Sequence, residues 1–143
     1  MKFYAVIDTN VIVSAALKNN SVPWLVVDEA LYGDVIPVVS DEILAEYKEV
    51  LSRPKFKFSD EMVASFLDNL KARAAFVKPG SVEDVFPDPS DVVFYAVLME
   101  KRKEDETRLV TGNLRHFPQR PFVVTPREML DLVRRARGEQ GVE

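Results

Sequence analysis

The sequence predicts an α/β protein in which a parallel sheet carries helices on both faces. Two observations predict it. Short apolar runs alternate with segments of helical length along the 143 residues, the pattern of strand–helix–strand units. No internal repeat or interdomain linker breaks that alternation, and the length suits one domain, set at residues 1–137 with 138–143 as a fraying tail.

Phe3 to Ile7 is a short apolar run that ends abruptly in Asp8-Thr9-Asn10, and it reads as a buried first strand. Val11 to Leu17 follows as a helix leaving that strand's C-terminal end. Ser21 and Pro23 signal a helix start, Trp24 to Leu31 supply its body and Gly33 stops it. Val35 to Val39 is a second strand, which Pro37 marks as irregular or near an edge. Ser40 is placed to cap a helix running to about Arg53, ahead of Pro54, with Ile43, Leu44, Tyr47, Val50 and Leu51 on one apolar stripe. Ser59 opens another amphipathic helix carrying Met62, Phe66, Leu67 and Leu70. Phe86 to Asp91 is a turn-rich loop, and Val92 to Met99 is apolar on every side, which predicts a helix buried on two fronts. Arg108 to Thr111 is a strand followed by a turn at Gly112-Asn113, and Phe122 to Val124 is a last short strand. Thr125-Pro126-Arg127-Glu128 reads as a capping box opening a final helix through about Arg137.

Composition narrows the function. Hydrophobic residues make up 47% and charged residues 29%, enough for a core with a solvated surface. The absence of cysteine excludes a disulfide framework, a thiolate zinc site and a cysteine nucleophile, and fits a reducing compartment. The first apolar run is too short for a signal-peptide core or a membrane span, so a cytoplasmic location is expected. A net charge of −4 argues against a protein that grips nucleic acid over its whole surface, while leaving local contacts open.

Acidic residues fall at informative places. Asp8 ends an apolar strand, where it is either a turn former or a functional carboxylate. Glu46 lies about 40° from Val50 around its helix, at the edge of the buried stripe, whereas Glu42 and Glu49 point outward. Asp91 opens the most apolar helix, a position that helix-start electrostatics alone would favour. Asp88 is open to the same turn-forming reading. A parallel sheet places ligand sites beyond the carboxyl ends of its strands, so these carboxylates can share one edge. Clustered carboxylates repel unless a cation neutralises them. Oxygen ligands with no cysteine and one histidine favour Mg²⁺ or Mn²⁺ over zinc.

Asp8-Thr9-Asn10-Val11, then Ser40 through Glu46, then Asp88-Pro89-Ser90-Asp91, then Thr111-Gly112-Asn113-Leu114-Arg115-His116-Phe117, together resemble the PIN domain. The last segment is similar to the TGN-x-x-HF motif of a toxin branch of that family. The resemblance runs from Met1 to about Leu132 and rests on the order and spacing of short motifs. It implies an α/β/α sandwich around a parallel sheet, with an acidic pocket that binds Mg²⁺ or Mn²⁺ and hydrolyses RNA. Asp8, Glu46 and Asp91 match the family's acidic metal positions. Asn113 falls where many members have a fourth aspartate and completes the expected catalytic set, offering a neutral oxygen to metal or water. Three carboxylates suit one tightly held ion. Thr9 and Thr111 are placed to position water or phosphate, and Arg115 to contact an RNA phosphate. His116 reads as a structural or substrate-contact residue, because water activated by a metal needs no histidine base.

The implied role is the ribonuclease toxin of a toxin–antitoxin pair, with a small antitoxin protein as partner. A homodimer is implied too, and the helix that is apolar all round points the same way. The alternatives are an RNA-processing nuclease without antitoxin and an inactive PIN-like interaction module. A phosphatase with an aspartyl nucleophile is disfavoured, because Asn10 stands where its second aspartate belongs.

Overall fold

A computed structural model of the chain describes residues 2–138. The fraying expected of the tail falls, beyond Gly138, outside the described residues. Strands β1 (Phe3–Ile7), β2 (Val35–Val39), β3 (Ala75–Phe76), β4 (Thr107–Val110) and β5 (Val123–Val124) form one sheet in the order β3-β2-β1-β4-β5. Every neighbouring pair is parallel. Helices α1 (Thr9–Leu17), α2 (Val22–Tyr32), α3 (Asp41–Leu51), α4 (Asp60–Arg73), α5 (Val92–Lys101) and α6 (Pro126–Ala136) flank it. The expected α/β architecture is therefore the observed one. The strand order reverses direction between β1 and β4, and in open parallel sheets such a reversal leaves a crevice at the strands' carboxyl ends.

Local chemistry accounts for most boundaries. The hydroxyls of Ser21, Ser40 and Ser59 accept hydrogen bonds from Trp24, Ile43 and Met62 amides, starting α2, α3 and α4. Thr125 and Glu128 exchange both bonds of a capping box at the start of α6. Each such cap contributes about 1 kcal/mol. Helix α5 packs on β1, β2, β4 and α3, which explains its apolar circumference: Phe94, Val97 and Leu98 are wholly enclosed. That enclosure lies within one chain, so the helix supplies no argument for a second subunit.

Several expectations need correction. Strand β2 lies next to the edge strand, as Pro37 suggested, but Pro37 itself is buried in a regular ladder opposite Ala5. The β2–β3 ladder contains only Val38 and Val39, so the residue lacking an N–H stands outside it. The edge strand β3 went unassigned, since two residues carry no periodicity. In α4 the buried stripe is Val63, Leu67 and Leu70, while Met62 is exposed. Helix α3 ends at Leu51, two residues early, and a 3-10 turn follows at Pro54–Phe56. Thr111 lies just past β4, not within it.

Candidate active site

A cleft of about 590 Å³ opens where β1 and β4 end. Asp8, Glu46, Asp88, Asp91, Asn113 and His116 all line it, together with Thr9, Asn10, Ser90 and Arg53. Four separate stretches of sequence thus meet at the crevice the strand order creates.

Asp8 occupies the N-cap position of α1 with extended backbone, yet its side chain makes no capping hydrogen bond. Its Oδ2 instead accepts from the Thr111 hydroxyl at 2.8 Å, across the β1–β4 junction. Only 5% of the residue is exposed. Burial pushes its carboxyl pKa up to about 6, against the lowering effect of the Thr111 hydroxyl, and the charges of Asp91 and Glu46 push the same way as burial. Asp91 repeats the arrangement. It closes the 3-10 turn Pro89–Asp91, takes the N-cap position of α5 without capping it, and is buried. Its Oδ2 lies 3.1 Å from His116 Nδ1. Burial raises its pKa, the Asp88 charge adds to that, and His116 opposes it.

Glu46 projects from α3, half-buried, and accepts a hydrogen bond from the Thr9 hydroxyl. Burial raises its pKa, Thr9 opposes the shift, and Asp91 and Asp88 reinforce it. The next residue, Tyr47, donates its buried hydroxyl to the Ile7 carbonyl. That bond fastens α3 to the last residue of β1, one position before Asp8. Asp88 is exposed and does what a turn aspartate does: its Oδ1 accepts from the Ser90 amide at 3.0 Å and the Ser90 hydroxyl at 2.9 Å. Those bonds hold its carboxyl below the usual range.

The loop after β4 is held by the site it helps to form. The Gly112 amide donates to Asn10 Oδ1 at 3.2 Å, and the Asn113 amide to Thr111 Oγ at 3.0 Å. Asn113 Nδ2 lies 2.9 Å from His116 Nε2, so its side chain is engaged with the histidine. Arg115 is exposed and lines a separate depression with Phe117, Pro118 and Gln119. It is not among the cleft residues; Arg53 is. Arg53 makes a two-pronged bond to Glu49, both contacts 2.8 Å. Arg53 was not singled out from the sequence, although its helical spacing from Glu46 and Glu49 could have placed it on the cleft side.

The donor set fits a hard divalent cation by chemistry: carboxylate oxygens, mutually repelling, in one cleft with neutral hydroxyls beside them. It does not form a closed cage as it stands. Among the described residues no three acidic or histidine side chains converge tightly enough to hold an ion, since each carboxylate is turned onto its own hydroxyl or imidazole.

Fold and cleft together define an α/β protein with an acidic site at the switch point of its sheet. Residues 4–115 match the family model of the PIN domain, and the chain belongs to that family, which is a family of nucleases. No curated protein and no solved structure matches the chain. Among the described residues no helix is long and apolar enough to cross a membrane.

Proposed function

We propose that this PIN domain is a Mg²⁺- or Mn²⁺-dependent endoribonuclease, the toxin half of a toxin–antitoxin pair acting in the cytoplasm as a homodimer. The observation that carries the enzymatic part is that Asp8 and Asp91, both at N-cap positions, are buried in a shared cleft and cap nothing. An aspartate at a helix start ordinarily earns its place by capping. Two that forgo it, beside Glu46, keep raised-energy carboxylates available to a cation.

Asp8, Glu46 and Asp91 would hold the ion. Bound there, a divalent cation supplies Lewis-acid stabilisation of a phosphate and activation of water for phosphodiester hydrolysis. The chain's own residues supply orientation. Thr111 and Thr9 hold Asp8 and Glu46 through their hydroxyls. The uncapped N-termini of α1 and α5 favour negative charge, of the carboxylates and of an incoming phosphate alike. Arg53, at the mouth, is the cation best placed to meet an RNA backbone, with Arg115 outside the cleft as a more distant contact.

The toxin assignment is supported by the Thr111-Gly112-Asn113…His116-Phe117 motif. Its test is expression without a partner: wild type should arrest growth and Asp91→Ala, at equal protein level, should not. Equal arrest by both would remove catalysis as the cause of toxicity. Cleavage in vitro without arrest would favour an RNA-processing nuclease. Calorimetric titration of Mn²⁺ into wild type and Asp8→Ala tests the metal site separately; identical isotherms would remove Asp8 from it.

A further inference from the structure

We propose that Asn113 and His116 are positioning residues: Asn113 fixes His116 as its Nδ1–H tautomer, and His116 in turn holds Asp91 in the cleft. The inference begins from the direction of each hydrogen bond. The Asn113 side-chain nitrogen can only donate. Facing His116 Nε2 at 2.9 Å, it requires that ring nitrogen to be unprotonated. The Asp91 carboxylate can only accept, so at 3.1 Å the proton must sit on His116 Nδ1. Turning the Asn113 amide over would place its oxygen against Nε2 and draw the proton there. A neutral ring would then present a bare Nδ1 lone pair to the carboxylate. Only one amide orientation therefore serves a neutral ring.

The same residue feeds the other side of the cleft. The Asn113 backbone amide donates to Thr111 Oγ, whose own proton goes to Asp8. Asn113 is thus the donor at the head of two arms, one ending on Asp8 and one on Asp91. An aspartate at this position would keep the first arm but could not donate to Nε2. With carboxylates facing both nitrogens, the ring would be drawn to carry a proton on Nε2 as well as Nδ1. This accounts for asparagine on the chain's own chemistry, and it replaces the expectation that Asn113 offers an oxygen to the metal.

The tautomer stands on this geometry alone; its consequence for Asp91 rests on the nuclease reading. His116 is the single histidine, so ¹⁵N-histidine labelling of the full chain gives one imidazole spin system. At mildly alkaline pH, metal-free wild type should show a protonated Nδ1 and a bare Nε2. Asn113→Ala should shift the proton toward Nε2, and the near-isosteric Asn113→Asp, if the alanine variant does not fold, should place a proton on Nε2. A wild-type ring protonated on Nε2, on both nitrogens, or in a mixture overturns the proposal. So does an Nε2 that stays bare in the variants.

The holding of Asp91 is read by Mn²⁺ affinity without RNA. His116→Asn places an amide donor where Nδ1 stood, whereas His116→Gln places one where Nε2 stood. Loss of a partner that orients a ligand weakens metal binding by about 10- to 100-fold. That loss is expected for His116→Gln and largely rescued in His116→Asn. Equal loss in both reduces His116 to packing and overturns its role. Neither readout involves cleavage, so a wild type that fails to cut RNA would sink the nuclease reading and leave the tautomer result standing.

Discussion

Asp8 and Asp91 stand where an aspartate usually caps a helix, and their side chains bond across the cleft instead, to Thr111 and His116. The energetic consequence is clearest for Asp8, whose pKa rises from 3.8 to about 6 on folding. A carboxyl with a raised folded-state pKa stabilises the fold fully below its unfolded value. That contribution fades as pH rises through about 6. The span corresponds to about 3 kcal/mol. In metal-free protein the thermal midpoint should therefore rise as pH falls from about 6 toward about 4, with Glu46 and Asp91 adding in the same direction. Asp8→Asn should flatten that rise and leave the midpoint at neutral pH unchanged or higher. A large loss of stability in the variant at neutral pH would mean that Asp8 is a turn residue after all. Asp8 was legible because it ended an apolar run and Glu46 because it lay at the edge of a buried stripe, whereas Asp91 stood out from an ordinary helix start only through the resemblance. His116 and Asn113 were harder to place, since a hydrogen bond between two loop residues leaves no periodic trace. Arg115 was expected near the cleft from its closeness in sequence to the motif, and the short 3-10 turn at Leu114–His116 sends it to another face; Arg53 was not singled out at all.

Helix α3 links two jobs at the level of the element. Its Ser40 cap and its buried stripe fix where it starts and how it lies, while Glu46 and Tyr47 face the end of β1. Two substitutions separate these functions. Ser40→Ala should cost about 1 kcal/mol of stability through the lost cap and leave Mn²⁺ affinity unchanged. Tyr47→Phe strips the Ile7 carbonyl of a buried donor, at a cost of about 1–3 kcal/mol. Because that bond ties α3, which carries Glu46, to the end of β1 just before Asp8, its loss should weaken Mn²⁺ binding as well. Chemical denaturation and metal titration of the two variants measure both quantities, and equal metal affinities would show that Tyr47 serves stability alone. The stripe of α3 and the caps of α2, α3, α4 and α6 could be read ahead of the structure because they are local. Strand β3 could not, since its two residues become a strand only by lying beside Val38 and Val39.

Across the whole molecule, the strand order does the gathering. Asp8 and Thr111 are 103 positions apart and share a hydrogen bond because β1 and β4 are neighbours at the point where the order reverses. The alternation of strands and helices was enough to point to that edge, where the candidate cleft lies. Its four-way convergence with α3 and the loop before α5 depended on register, which no single segment encodes. The proposed action on RNA is compatible with an overall acidic chain, because five of its carboxylates, Asp8, Glu46, Glu49, Asp88 and Asp91, line the cleft where a cation would sit. Cleavage of a labelled RNA in Mg²⁺ or Mn²⁺, with and without chelator, by wild type and Asp8→Asn, tests that claim most directly. Wild type should cut only with free metal, and the variant should lose cutting by orders of magnitude while melting at the same temperature or higher without metal. Cleavage that persists in chelator, or in a folded Asp8→Asn protein at the wild-type rate, would contradict it.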